Sequence, residues 1–235
     1  MKRKEFRAGM RAALPVCVGY FSVGFGFGTM AVTQNLSIWQ ATLISASNLT
    51  SAGQFAGLTV IAAGAAMVEM ILMQLVINSR YALMSLALSQ RLGPDVSVGK
   101  RLLVAFFNTD EVFALAMSWP KKLTPSFFVG AGVTAGSGWV LGTALGAAAG
   151  SLLPICVQIA LGVMLYGMFT AIIVPQVREE KEMLVCVIVA VLTSCAMAWV
   201  PWFNRLSDGT VIVICTVAAA AVSAVLFPLS EEAEQ

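Results

Sequence analysis

The chain has 235 residues, is 59% hydrophobic and only 11% charged, and carries a net charge of +2. A soluble domain is about 45–50% apolar and about 25% charged, so a soluble fold is excluded, and so small a charge gives no ground for a nucleic-acid partner. No histidine occurs anywhere, which excludes His-based zinc sites, Ser-His triads and imidazole proton relays.

Residues 1–11, "MKRKEFRAGMR", hold five of the fourteen Lys and Arg. They read as a basic cytoplasmic N-terminus that anchors topology. The stretch is also similar to the n-region of a signal peptide. The apolar segment after it runs past Ala31 without a convincing cleavage site, so it is expected to be retained. Eight hydrophobic segments follow, at 12–33, 38–64, 67–89, 102–119, 127–150, 155–175, 183–201 and 209–228. A spanning helix needs ~20 apolar residues. Runs such as "VIVICTVAAAAVSAVLF" do not alternate as barrel strands would, so the spans are helical. The expected fold is an all-α integral membrane protein, a compact helical bundle of about six to eight transmembrane segments, two of them broken or re-entrant. Residues 12–228 form a single transmembrane bundle in this reading, and 229–235 an acidic C-terminal tail.

In the first segment, "GYFSVGFGFG" lies in a span with no strand before it, so it reads as a closely packed helix and not as a nucleotide loop. The segment 38–64 carries "SNLTSAGQFAG", where Ser51 and Gln54 have the spacing of a capping box. The segment 102–119 carries "AFFNTDEVFAL", where Asn108 and Glu111 have the same spacing and Asn is a strong N-cap. A cap in mid-segment marks the start of a half-helix. Such irregular backbone is tolerated at that depth only inside protein or along a water-filled cavity. In 127–150, Gly132, Gly136, Gly142 and Gly146 recur at short steps and predict close helix packing. The five cysteines, Cys17, Cys156, Cys186, Cys195 and Cys215, show no CxxC spacing and read as small buried hydrophobes.

Charge in the loops orients the chain. With 38–64 re-entrant and 102–119 crossing, nine Lys and Arg lie on the cytoplasmic side and four outside. With 102–119 also re-entrant, the split becomes twelve against one, with only Arg205 outside. The second split fits the positive-inside bias better and gives six full spans, two broken hairpins and both termini cytoplasmic. A broken helix that still crosses stays open for 102–119.

The ionisable residues inside the segments are Glu69, Arg80, Asp110 and Glu111. A charge at bilayer centre costs at least about 2.5–3.5 kcal/mol, so such groups face a cavity or a partner. Arg80, beside Asn78 and Tyr81, is the one cation available to the acidic pair, and a salt bridge to Asp110 or Glu111 is expected. Neighbours on a helix point ~100° apart, so the other carboxylate faces the cavity or caps its helix. Glu69 precedes Arg80 by eleven residues, about 16 Å along a helix at ~1.5 Å per residue, and reads as interfacial. A zwitterion in such a site would set its carboxylate at the half-helix start formed by Ser51, Gly53 and Gln54. Its ammonium would meet the free carboxylate. Tyr20, Met84, Phe106 and Phe107 are candidate walls.

Four stretches in order, "ALPVCVGYFSVGFGFG" (13–28), "SAGQFA" (51–56), "NSRYALMSLAL" (78–88) and "NTDEVFAL" (108–115), give the chain a resemblance to the AzlC family, the large subunit of branched-chain amino-acid exporters. It covers most of the chain, from residue 6 to about 225. Tyr81 stands where many relatives carry His, and Ser22 where Pro is common. The resemblance implies a secondary transporter in the cytoplasmic membrane exporting leucine, isoleucine and valine, with methionine a further candidate. It also implies a small membrane partner subunit of the AzlD type. No cofactor or metal is expected from the residues. The candidate substrate-binding residues are Ser51, Gly53, Gln54, Asn78, Arg80, Asn108, Asp110 and Glu111. A channel, or a structural subunit whose partner carries the transport, is the alternative class. An intramembrane enzyme is disfavoured, since the segments hold no His or Lys and their two clustered acids are adjacent.

Overall fold

The computed structural model describes residues 2–152, 180–200 and 208–227, with isolated positions at 154, 156, 157, 170, 173, 174, 177, 178 and 206. Most of the expected segment 155–175, Arg205 and the tail 229–235 lie outside the described residues. Among the described residues there are eleven α-helices, one 3-10 turn (Gly150–Leu152) and no strand. The helices are α1 (Arg3–Ala12), α2 (Leu14–Thr33), α3 (Ile38–Ser47), α4 (Ala52–Ala62), α5 (Met67–Asn78), α6 (Arg80–Leu92), α7 (Val98–Phe106), α8 (Asp110–Met117), α9 (Pro125–Ala149), α10 (Lys181–Trp199) and α11 (Asp208–Leu226). By length and hydropathy α2, α9 and α10 can each cross a membrane, and α5 with α6 makes a fourth candidate if the two count as one span.

The chain forms two compact units, one of Met1–Phe55 and Asn78–Tyr166, the other of Ala56–Ile77 and Gly167–Gln235. In the second unit Gly57 of α4 lies against Gln74 and Met70 of α5, and α10 packs on α11.

The first unit is built on α2 and α9, which run in the same direction. A Cβ on Gly142 would lie 2.2 Å from the Phe21 carbonyl oxygen, and one on Gly146 2.0 Å from that of Phe25. Reciprocally, one on Gly24 would lie 2.5 Å from the Trp139 oxygen and one on Gly28 2.1 Å from that of Thr143. The reciprocity is that of two parallel helices about a local two-fold axis. No side chain fits between the backbones, which makes glycine obligatory there. The expected close packing of both glycine-rich stretches is observed at these positions. Gly132 and Gly136 instead face Phe107 and Leu49.

The basic N-terminal stretch is itself a helix, which its composition did not foretell. Glu5 in the first turn and Arg11 in the last suit the macrodipole of α1. Pro15, at the start of α2, requires no N–H donor there. Gly9 lies on the Phe127 carbonyl and Gly130 on that of Phe6, so α1 extends the α2–α9 seam.

The segment 38–64 is broken where expected: α3 stops at Ser47 and α4 starts at Ala52. Ser51 takes φ +50°, a left-handed conformation uncommon outside glycine. The Ser51–Gln54 capping box does not form. Gln54 turns its Nε2 to Ser45 Oγ at 3.0 Å, and its Oε1 accepts no hydrogen bond among the described residues. The capping box sits at Ser37 and Gln40 instead, with Ser37 N–H to Gln40 Oε1 at 2.8 Å and Gln40 N–H to Ser37 Oγ at 3.2 Å.

The segment 102–119 is also broken, one residue later than the Asn108 cap implied. Thr109 is the N-cap and Asp110 the first residue of α8, because Asn108 donates to Ser85 Oγ at 3.2 Å. Arg91, at the end of α6, donates to the Trp119 carbonyl just past α8 at 2.8 Å. The Arg101 guanidinium in α7 donates to the Val96 and Gly93 carbonyls at 3.1 and 2.5 Å, and to Ser89. The chain therefore enters α7 and leaves α8 at the same end of the unit. The α7–α8 pair is a helical hairpin with its two ends together, as expected of a re-entrant segment; a crossing would separate them by about 30 Å. A third break, at Ser79 between α5 and α6, was not expected within 67–89.

Candidate functional site

The eight candidate residues all stand at helix ends. Ser51, Gly53 and Gln54 begin α4, Asn78 ends α5, Arg80 begins α6, Asn108 precedes α8, and Asp110 and Glu111 open it. Two carboxylates in a first turn are favoured by the positive end of the helix dipole.

Arg80 pairs with Asp110, Nη1 to Oδ2 at 2.9 Å, which resolves the choice between the two acids. Their side chains are 42% and 34% exposed, so the pair borders open space. The guanidinium also stands 5.2 Å from the Tyr81 ring centroid, within the ~6 Å of a cation–π contact. Glu111 points elsewhere and is held by the Tyr20 hydroxyl, which also reaches Thr109 Oγ1 at 2.8 Å. A phenol has one proton to donate, so it serves one of these oxygens at a time, and Thr109 meets the carboxylate only through Tyr20. Tyr20, expected only as a wall, is thus a polar member of the site.

A second polar group lies around Gln54. Ser45 Oγ and Thr143 Oγ1 are 2.8 Å apart, joining α3 to α9, and Gln54 donates to the same Ser45 oxygen. Gln54 is 3% exposed and Asn108 5%. The Oε1 of Gln54, the Oδ1 of Asn108, the Thr50 hydroxyl and the Arg80 Nε are buried with no hydrogen-bond partner among the described residues. Such groups ordinarily find one.

Among the described residues no hydrogen bond or ion pair joins Ser51 or Gln54 to Arg80, Asp110 or Glu111. The two groups are connected through α9. The rings run Tyr20 to Trp139 (5.6 Å, edge-on), Trp139 to Phe27 (6.4 Å) and Phe27 to Phe55 (5.2 Å, edge-on). The backbone breaks meet there too: Gly136 has Leu49 Cδ1 at 3.3 Å and Phe107 Cε1 at 3.9 Å from its Cβ position. Phe107 packs on α9 and edge-on to Phe106, which is 46% exposed. Ser45, Thr143, Trp139 and Thr109 were not singled out in the sequence. Ser45 and Thr143 are separated by 98 residues, and lone hydroxyls in apolar helices give no local signal.

Membrane-length apolar helices, two helix breaks that converge on one glycine and ionisable groups beside one of those breaks are the features of a membrane protein with a polar site. The family model described as AzlC protein matches residues 15–153, more than half of the chain, and the chain belongs to the AzlC family. It is 29% identical over 199 residues to the inner membrane protein YgaZ of Escherichia coli, covering 81% of this chain and 80% of that one. It is 33% identical over 155 residues to an uncharacterized membrane protein of Archaeoglobus fulgidus, covering 65% and 66%. A membrane protein of Helicobacter pylori, also uncharacterized, is 25% identical over 151 residues, covering 63% and 65%. No solved structure matches.

Proposed function

We propose that the protein is the large subunit of a secondary transporter that exports branched-chain amino acids across the cytoplasmic membrane, together with a small AzlD-type membrane subunit. The observation that carries this reading is the meeting of two helix breaks at Gly136. Discontinuous helices that meet inside a membrane protein are how many transporters build a substrate site. In this reading the substrate carboxylate lies at the start of α4, at Ser51, Gly53 and Gln54, where the helix dipole is positive. The ammonium lies at Glu111, because Asp110 is taken by Arg80. Asn78 and Asn108 supply amide contacts, and Phe106 and Met84 line the side chain. Both termini face the cytoplasm.

The test is flux of radiolabelled leucine through purified protein in proteoliposomes, with and without the partner subunit. Saturable flux that needs both chains, and that Glu111→Gln abolishes while the variant stays folded, supports the reading. Non-saturating flux indicates a channel. Flux from the partner alone makes this chain structural. A C-terminal reporter active only outside the cytoplasmic membrane should be silent.

A further inference from the structure

At one end of the first unit a cavity of about 450 Å³ opens between α1, the α8–α9 loop and the first turn of α9. Its lining brings Lys2 and Lys4 of the N-terminal stretch together with Lys121 and Lys122, more than a hundred residues away in sequence. Trp119 closes one side, stacked on Phe127 with centroids 4.2 Å apart. The walls are fixed. The Lys2 backbone N–H donates to Ser126 Oγ at 2.9 Å, and the Thr124 hydroxyl donates to Glu5 Oε2 at 2.9 Å. Glu5 is the one acid in the lining, and Lys2 Nζ stands 3.6 Å from it. Lys4, Lys121 and Lys122 have no carboxylate within ion-pair distance among the described residues.

Four ammonium groups around one cavity repel each other, and one carboxylate does not balance them. Self-repulsion of this kind is relieved by a multivalent or diffuse anion. The cavity lies where the apolar helix α9 begins, with a tryptophan at its rim, as is common at the membrane–water boundary. Basic pockets at that depth suit lipid phosphates. We propose that this cavity binds a phosphate-bearing anion, and that its source is the headgroup of an anionic phospholipid in the leaflet on the N-terminal side. The Lys121–Lys122 and Lys2–Lys4 ammonium groups take the phosphate oxygens, and the Trp119–Phe127 stack lies against the glycerol and upper acyl region. The site is separate from the helix-break site and stands whether or not the transport reading holds.

Purified full-length protein in neutral detergent would be titrated with phosphatidylglycerol, with phosphatidylcholine and with inorganic phosphate. Native mass spectrometry would report lipid retention, and thermal unfolding the shift in midpoint. Lys121→Gln/Lys122→Gln is the variant; among the described residues neither side chain makes an ion pair, so no salt bridge of the fold is lost. Lys100→Gln/Lys181→Gln removes the same charge at exposed positions outside the cavity. The expected result is selective retention of phosphatidylglycerol over phosphatidylcholine, weakened roughly thirtyfold in the cavity variant, unchanged in the control, and reduced by added salt. Protection by inorganic phosphate alone, lost in the cavity variant, supports the phosphate site and overturns the lipid source. Equal retention of both lipids, or equal loss in both variants, overturns the site.

Discussion

The α2–α9 seam and the convergence of broken helices at Gly136 lie within a few turns of each other on the same helix, yet they are opposite in kind. Along the seam, carbonyl oxygens would stand 2.0–2.5 Å from any Cβ at Gly24, Gly28, Gly142 or Gly146, and the packing is backbone on backbone. At the breaks, Gln54 Oε1, Asn108 Oδ1 and Thr50 Oγ1 are buried without partners among the described residues, and an ion pair stands part-open. The seam has exhausted its freedom to move and to bind; the breaks have kept theirs. A rigid pair of helices beside a polar, incompletely satisfied one is a frame beside a site.

The seam gives the largest expected effect. Gly146→Val should cost more than about 3 kcal/mol, because overpacking here meets backbone and not a yielding side chain. The protein should not be recovered folded, as judged by yield and by size-exclusion profile. Gly19→Ala, with nothing within 4 Å of its Cβ position, should be neutral or stabilising by up to about 1 kcal/mol. If Gly146→Val melts like the parent, the seam is looser than the distances state and the contrast fails.

The ion pair comes next. Removing one member of a fully buried pair costs about 3–5 kcal/mol, and the exposure of Arg80 and Asp110 reduces this for Arg80→Gln to about 1–3 kcal/mol. Asp110→Asn should restore the melting temperature of that variant. Glu111→Gln should not, since Glu111 is held by Tyr20. Rescue by Glu111→Gln would reverse the assignment of the two carboxylates.

Smaller effects sharpen the functional side of the contrast. Tyr20→Phe keeps the ring on Trp139 and removes one hydrogen-bonding group, about 1 kcal/mol. Its effect should appear mainly as weaker leucine binding, because Glu111 loses its anchor; unchanged binding would limit Tyr20 to packing. Gln54→Leu removes a buried acceptor without a partner among the described residues together with the hydrogen bond to Ser45; gain and loss oppose each other, so stability should stay within about 1 kcal/mol of the parent. Leucine binding measured by scintillation proximity should fall. If it does not, the start of α4 is no carboxylate site.

Much of this was legible in the chain itself. Hydropathy alone marks an all-α membrane protein, since a run of ~20 apolar residues has one favourable environment and one favourable backbone there. Polar residues in mid-segment disclosed the breaks at 48–51 and 107–109, because a helix start needs capping groups close in sequence. The Ser79 break escaped notice because Ser79 has helical dihedrals and no cap bond. The Ser51–Gln54 spacing is that of a capping box, yet Gln54 turns to Ser45, and a spacing does not say where a side chain turns.

What the sequence determined, then, is what depends on near neighbours: the helices, two of their breaks, the acids at the start of α8 and the one cation able to meet them. Only the tertiary structure decided that Asp110 takes Arg80, that Glu111 goes to Tyr20 across 91 residues, and that Lys121 and Lys122 join Lys2 and Lys4. Those choices follow from the rotation and register of whole helices, set by where glycines let α1, α2 and α9 touch. A shift of one residue turns a helical side chain by ~100°, so no local pattern could have specified them.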